Sequence, residues 1–140
     1  MNWLTGGPQA EAKRLIIQLA DSAKRDIAAK ELPKLGTDAV PPLIDALQTQ
    51  DPGLVPIYQH ILARIPSATP TLTKALATTT HHPIVRARMA ETLGISKDKS
   101  AIPVLLDALK DQYFTVRASA ALALGNIGDV QVIPLLLPLL

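Results

Sequence analysis

Apolar side chains recur along this chain at intervals of three and four residues, and the pattern restarts several times. From Gln9 to about Ala20 the residues Ala12, Leu15, Ile16 and Leu19 share one helical face. Alternating apolar and polar residues, the signature of a half-buried strand, form no run of useful length. The spacing predicts helices in pairs, at about 9–20 and 22–32, 38–50 and 53–65, 68–79 and 83–94, and 100–111 and 113–127, with a further helix beginning at 130. Pro33 would remove an internal hydrogen bond from a continuing helix, so the second helix is expected to stop before it. Gly125 stands at the aligned position and is expected to mark the same exit.

Two ladders set the period. Arg25, Pro56, Arg86 and Arg117 follow one another at steps of 31, 30 and 31 residues. Gly94 and Gly125 each stand eight residues after their arginine, and Gly36 and Gly128 eleven after theirs. The second ladder is proline-based. Pro41, Pro70, Pro103 and Pro134 each lie in a segment such as Ala101-Ile-Pro-Val-Leu-Leu-Asp-Ala-Leu109, shortly after a capping residue: Asp38, Ser67, Ser100 or Asp129. Proline is tolerated in the first turn of a helix, whose N–H groups have no partner within the helix. Each unit is therefore one proline-started helix followed by one introduced by the arginine. A period near thirty implies helix pairs that bury their apolar faces only against neighbours. The fold class expected is all-α, a right-handed solenoid of about four and a half pairs in a single domain over 1–140.

Aligned on the arginine, positions +3, +4 and +7 carry small or apolar residues, which assigns Ala28, Leu32, Ala90, Leu93, Ala121 and Leu124 to the core; Leu62, at +6, is also expected to be buried between layers. Positions +2 and +6 vary in chemistry from copy to copy, as a solvent-facing row does. On this reasoning Tyr58, Leu62, Arg88, Thr92 and Ser119 are candidates for a protein-binding row on the concave side, Tyr and Arg being frequent interface anchors.

Composition narrows the chemistry. Of 140 residues 48% are hydrophobic but only four are aromatic, which suits close-packed helices of Leu, Ile and Ala. The 14 Lys and Arg and 12 Asp and Glu are interspersed, giving a net charge of +2 without a basic block, so nucleic acid is not the expected partner. With no cysteine there is no disulfide, thiolate metal site or cysteine nucleophile. The amino terminus lacks the basic and apolar regions of a signal peptide, and no apolar run is long enough to span a bilayer. A cytoplasmic protein without membrane contact is the default. His81 and His82 adjoin Pro83 in a turn, with His60 more than twenty residues away and no carboxylate beside the pair. That is a poor metal set, and these residues call for no cofactor. There is no Gly-x-Ser-x-Gly elbow, no Gly-x-Gly-x-x-Gly and no phosphate loop. The arginine ladder could form an anion stripe. The stronger reading is a structural Asp–Arg ladder tying unit to unit, since Asp21 precedes Arg25 and Asp111 precedes Arg117.

Val116-Arg-Ala-Ser-Ala-Ala-Leu-Ala-Leu-Gly125, Val85-Arg-Ala-Arg-Met-Ala-Glu-Thr-Leu-Gly94 and Ala101-Ile-Pro-Val-Leu-Leu-Asp-Ala-Leu109 resemble HEAT repeats, in particular the short HEAT-like repeats named after the phycobilisome lyases. The resemblance covers nearly the whole chain and is weakest between Asp51 and Ser67. It implies an α-solenoid. Its functional range includes bilin attachment or removal, cofactor assembly, general adaptors and some enzymes. Among the enzymes of this repeat type, the di-iron deoxyhypusine hydroxylase uses His-Glu pairs at helix starts; this sequence has no His-Glu dipeptide, so that activity is not expected. DNA glycosylases of related repeats use a basic, aromatic-bearing groove that the candidate row does not offer.

The resulting expectation is a non-catalytic scaffold that binds another protein through its concave row, with a phycobilin lyase or its chaperone-like subunit as the alternative. The final segment, Val132-Ile-Pro-Leu-Leu-Leu-Pro-Leu-Leu140, would begin a unit that lacks its second helix. Repeat arrays end in polar caps, so the chain reads as part of a longer array, or as one whose end is covered by a second copy of itself.

Overall fold

The computed structural model describes residues 6–78, 81–129 and 134. The described residues are helical and carry no strand. They divide into two compact units, residues 1–71 and 72–140.

In the first unit, α1 (Gly7–Gln18) has Pro8 in its first turn and buries Ala12 and Leu15. The Asp21 carboxylate accepts the Ala23 N–H at 2.9 Å in the turn that follows. This leads into α2 (Arg25–Glu31), which buries Ala28. As expected from Pro33, the α-helix stops there; a 3-10 stretch, Leu32–Ala39, takes over. It bends at Gly36, whose φ of 58° and ψ of −132° suit a residue without a Cβ. Next is α3 (Val40–Ala46), with Pro41 in its first turn and Val40, Pro42, Leu43 and Ile44 buried. The Asp51 turn, where its carboxylate accepts the Gly53 N–H at 2.9 Å, opens α4 (Val55–Ala63). Within this unit α1 packs on α2, α3 and the 3-10 stretch, and α3 on α4. The unit boundary at residue 71 falls inside α5 (Ala68–Ala77).

In the second unit α6 (Pro83–Ser96) starts on its proline, and His82 caps it by accepting the Ile84 N–H at 3.2 Å. A short 3-10 turn, Lys99–Ala101, leads to α7 (Ile102–Ala108), and α8 (Phe114–Ile127) follows. Helix α8 packs along α6 and against α7. At Gly94 the two helices come close enough that an added Cβ would stand 2.6 Å from the Ala123 Cα. Only glycine lets the two helix backbones come so near.

The paired pattern and the proline starts agree with the sequence reading, and three details differ. Asp38 and Ser100 do not cap: Ala39 and Ala101 occupy the N-cap positions of α3 and α7, and Asp98 caps the preceding 3-10 turn by accepting the Ser100 N–H at 2.9 Å. Gly125 does not end its helix, which runs on to Ile127 and closes on Gly128 in the left-handed conformation. Helix α6 likewise passes Gly94 and closes on Lys97, a non-glycine residue with φ of 55°. Of the predicted core, Ala28, Leu32, Leu62, Ala90, Leu93 and Leu124 are buried, while Ala121 is exposed on the outer side of α8. The helix expected from 130 onward lies outside the described residues, apart from Pro134.

Candidate functional site

The row proposed from sequence does not reach solvent as a row. Tyr58, Leu62, Thr92 and Ser119 are buried, and Arg88 is half-buried. Thr92 donates its hydroxyl to the Arg88 carbonyl at 2.7 Å, and Ser119 donates to the Glu91 carboxylate at 2.9 Å, so both hydroxyls are spent inside the packing. Burial, and next the Asp51 carboxylate, pushes the Tyr58 phenol above its ordinary pKa. The physical reason is that α6 is covered almost all round: Val85, Arg86, Ala87, Met89, Ala90, Thr92, Leu93 and Gly94 are all buried. A position that varies in chemistry between copies need not be an exposed one.

The polar side chains that do converge lie in the second unit. A cavity of about 450 Å³ opens between the start of α6 and the turn joining α7 to α8. His81, Pro83, Arg86, Asp107, Lys110, Asp111, Gln112 and Tyr113 line it. A smaller cavity of about 110 Å³ shares Asp107 and Asp111 and is otherwise lined by Leu76, Ala77, Val104 and Ala108.

Arg86 anchors the larger cavity. It is only 3% exposed, and its guanidinium donates to the Asp111 carboxylate, 25 residues away in the next repeat. Asp111 is engaged at three atoms. Besides Arg86, its other carboxylate oxygen accepts the Tyr113 N–H at 2.9 Å, and its backbone carbonyl accepts from Arg117 at 2.7 Å. Arg25 makes the same bond as Arg117, donating to the carbonyl six residues upstream, Leu19, at 2.7 Å. The expected Asp–Arg tie between repeats therefore exists at Arg86, whereas Arg25 and Arg117 close their own turns. Two buried nitrogens at the cavity, His81 Nδ1 and Arg86 Nε, have no hydrogen-bond partner among the described residues. Chemically the site can hold a polar group by hydrogen bonds and charge.

The family described as HEAT repeats matches residues 69–140, and the one described as PBS lyase HEAT-like repeat matches residues 24–49. The chain belongs to the HEAT-repeat family. Its all-α, solenoid-class fold follows from the helix pairs together with this match. Among curated proteins, the deoxyhypusine hydroxylase of Bos taurus is 46% identical over 55 residues, which is 38% of this chain and 18% of that protein. Among solved structures, human deoxyhypusine hydroxylase in complex with glycerol is similar with a TM-score of 0.54 and 27% identity, over 83% of this chain and 43% of that one. The chain thus spans less than half the length of the relatives it matches.

These likenesses overturn the expectation of a non-catalytic scaffold, and with it the bilin lyase alternative, because both relatives are hydroxylases. The missing His-Glu dipeptide, which argued against that enzyme, bears on metal ligands rather than on the repeat framework where the likeness lies. The residues present do not fit the di-iron group that the likeness implies. His60 is exposed with Nδ1 2.8 Å from the Pro56 carbonyl, and His82 Nδ1 is used as a helix cap. Among the described residues no three His, Asp or Glu side chains come together as a metal set. None of the described helices is long and apolar enough to cross a membrane.

Proposed function

We propose that this chain is part of an enzyme of the deoxyhypusine hydroxylase kind, acting in the cytoplasm, in which it supplies HEAT repeats that hold the substrate. The metal ligands come from other repeats of the assembled enzyme. The observation that carries this reading is the double likeness, in sequence and in fold, to one and the same hydroxylase. The cavity beside Arg86 and Asp111 supports it as the substrate-facing part, since it brings Asp107, Lys110 and Gln112 together over a buried ion pair. No chemical step is assigned to the chain's own side chains, whose part is binding and orientation.

The test is binding of a peptide containing deoxyhypusine against the same peptide containing lysine, by calorimetry on the purified chain. Preferential binding of the deoxyhypusine form is expected, weakened by Lys110→Ala and Asp107→Ala. Equal binding of the two peptides, or a preference untouched by both substitutions, would refute the reading.

A further inference from the structure

Four charged side chains line the larger cavity of the second unit: Arg86, Asp107, Lys110 and Asp111. Arg86 is paired with Asp111, and Asp107 and Lys110, both exposed, are of opposite sign, so the formal charges cancel. What is left over is donors. Arg86 spends a terminal nitrogen on Asp111, while its Nε–H is buried and has no acceptor among the described residues. Nδ1 of His81 is buried and unmatched in the same way. An N–H shut away from water without an acceptor is costly, and an oxygen that takes it recovers that cost. Two 14-residue helices also begin at the cavity: Pro83 on its wall is the first residue of α6, and Tyr113 is the N-cap of α8. Both helices set the positive end of their dipole there.

We propose that the Arg86 and His81 end of this cavity is a binding site for a carboxylate. A carboxylate brings two acceptor oxygens and a single negative charge, which matches two unspent nitrogens in a cavity whose side-chain charges already cancel. Arg86 Nε donates to it, and so does His81 when its ring proton is on Nδ1. A phosphate suits the site less well, because its second charge would face Asp107 and Asp111 with Arg86 already committed to the latter. An amine at this end would set donors against donors. As the side chains stand, both nitrogens are closed to solvent, so one side chain gives way when the ligand enters. Arg86 is 3% exposed and held by Asp111, which leaves His81, half-buried in the turn ahead of α6, as the one that moves. Small organic acids and the acidic side chains of proteins present the same two oxygens. The inference shares its cavity with the substrate-holding reading, goes beyond it and does not require it.

The Nε–H of a buried arginine exchanges slowly with water and gives its own nitrogen–proton NMR signal, so the donor itself can be watched. The isotope-labelled chain is titrated with sodium acetate at constant ionic strength, sodium chloride being the balancing salt. The Arg86 Nε–H signal is expected to move downfield to a plateau, with a dissociation constant on the order of 1 mM. In His81→Phe that constant should rise about tenfold or more. Two blocked peptides, acetyl-Gly-Glu-Gly-amide and acetyl-Gly-Gln-Gly-amide, separate the sources. Tighter binding of the Glu peptide than of acetate identifies a protein side chain as the occupant, and weaker or equal binding identifies a small acid; the Gln peptide should not bind. No saturable shift with acetate overturns the proposal. So does a matching response to the Gln peptide, tighter binding of inorganic phosphate, or an acetate response indifferent to His81→Phe. An Arg86 Nε–H that exchanges rapidly with water overturns it as well, by showing that the donor is already solvated. Acetate carries no amine, so its binding stands even where the deoxyhypusine and lysine peptides bind equally, and its failure leaves that comparison untouched.

Discussion

Removing the Asp111 carboxylate should be among the most damaging single changes available to this fold. Arg86 is 3% exposed and the Asp111 side chain 11% exposed, so their pairing takes place largely out of water. Taking away one partner of a buried pair leaves the other charge uncompensated, at a cost of about 3–5 kcal/mol. Asp111→Ala also deletes the acceptor for the Tyr113 N–H, worth about 1 kcal/mol more. The reverse change is expected to be milder. Arg86→Met keeps much of the buried stem and removes the charge that is hard to solvate, while Asp111 is left nearer to solvent and still bonded to Tyr113. Asp111→Asn falls between them, since it keeps the turn bond and loses the charge.

Urea denaturation followed by the helical circular dichroism signal should rank the variants Asp111→Ala, Asp111→Asn, Arg86→Met in decreasing cost. Against a stability of about 5–15 kcal/mol for a typical domain, the first would lower the melting temperature by roughly 10 °C or more. Equal costs for Asp111→Ala and Arg86→Met, or a loss under about 1 kcal/mol for Asp111→Ala as exposed pairs give, would show that the pair is solvated and that the buried-charge argument fails.

Gly94→Ala should destabilise by about 1–3 kcal/mol because its Cβ meets the Ala123 backbone, whereas Gly125→Ala, with open space around it, should stabilise the monomer by up to about 1 kcal/mol in a thermal melt. Lys97→Gly should stabilise by roughly 0.5–1 kcal/mol, since Lys97 holds the left-handed cap position that Gly128 fills in the next repeat; a loss on substitution would mean that the lysine side chain is needed there. Tyr58→Phe should flatten the alkaline limb of the stability curve. With the folded phenol raised above the unfolded value of about 10, the stability tied to it is whole below that pH and declines as pH rises through the folded value. Chemical denaturation between pH 8 and 12 would show identical limbs for both proteins if the phenol titrated normally.

The repeat frame is readable in the sequence because the rules behind it are local. Pro8, Pro41, Pro56, Pro83 and Pro103 stand in first turns, where the missing N–H is harmless. The faces are harder to read. Periodicity tells which positions are apolar, but it cannot tell how many sides of a helix are covered. The polarity of Thr92 and Ser119 argues for the outside, yet each satisfies its hydroxyl on a neighbour and is buried. The small size of Ala121 argues for the inside, and it lies on the uncovered side of α8. Gly94 and Gly125 look like helix ends because glycine often is one. At Gly94 the residue instead permits a backbone contact, which only the packed neighbour reveals.

The site is hidden for a related reason, and the repeat pattern explains where it lies. Three turns are built alike, with Asp21, Asp51 and Asp111 each accepting the N–H two residues on. In the remaining turn His82 takes that part, with His81 beside it at the cavity wall. The same repeat carries Lys97 where glycine is favoured, and its arginine reaches forward to Asp111 while Arg25 and Arg117 each close their own turn. Two of these departures, at the turn and at the arginine, adjoin the larger polar cavity, which His81 and Arg86 line. Local rules broken side by side at one cavity mark it as a candidate binding site. Comparing the turns with one another, rather than with known catalytic motifs, is the signal that could have found it: in the other turns between paired helices an Asp accepts the N–H two residues on, while here His82 does, and its neighbour His81 lines the cavity.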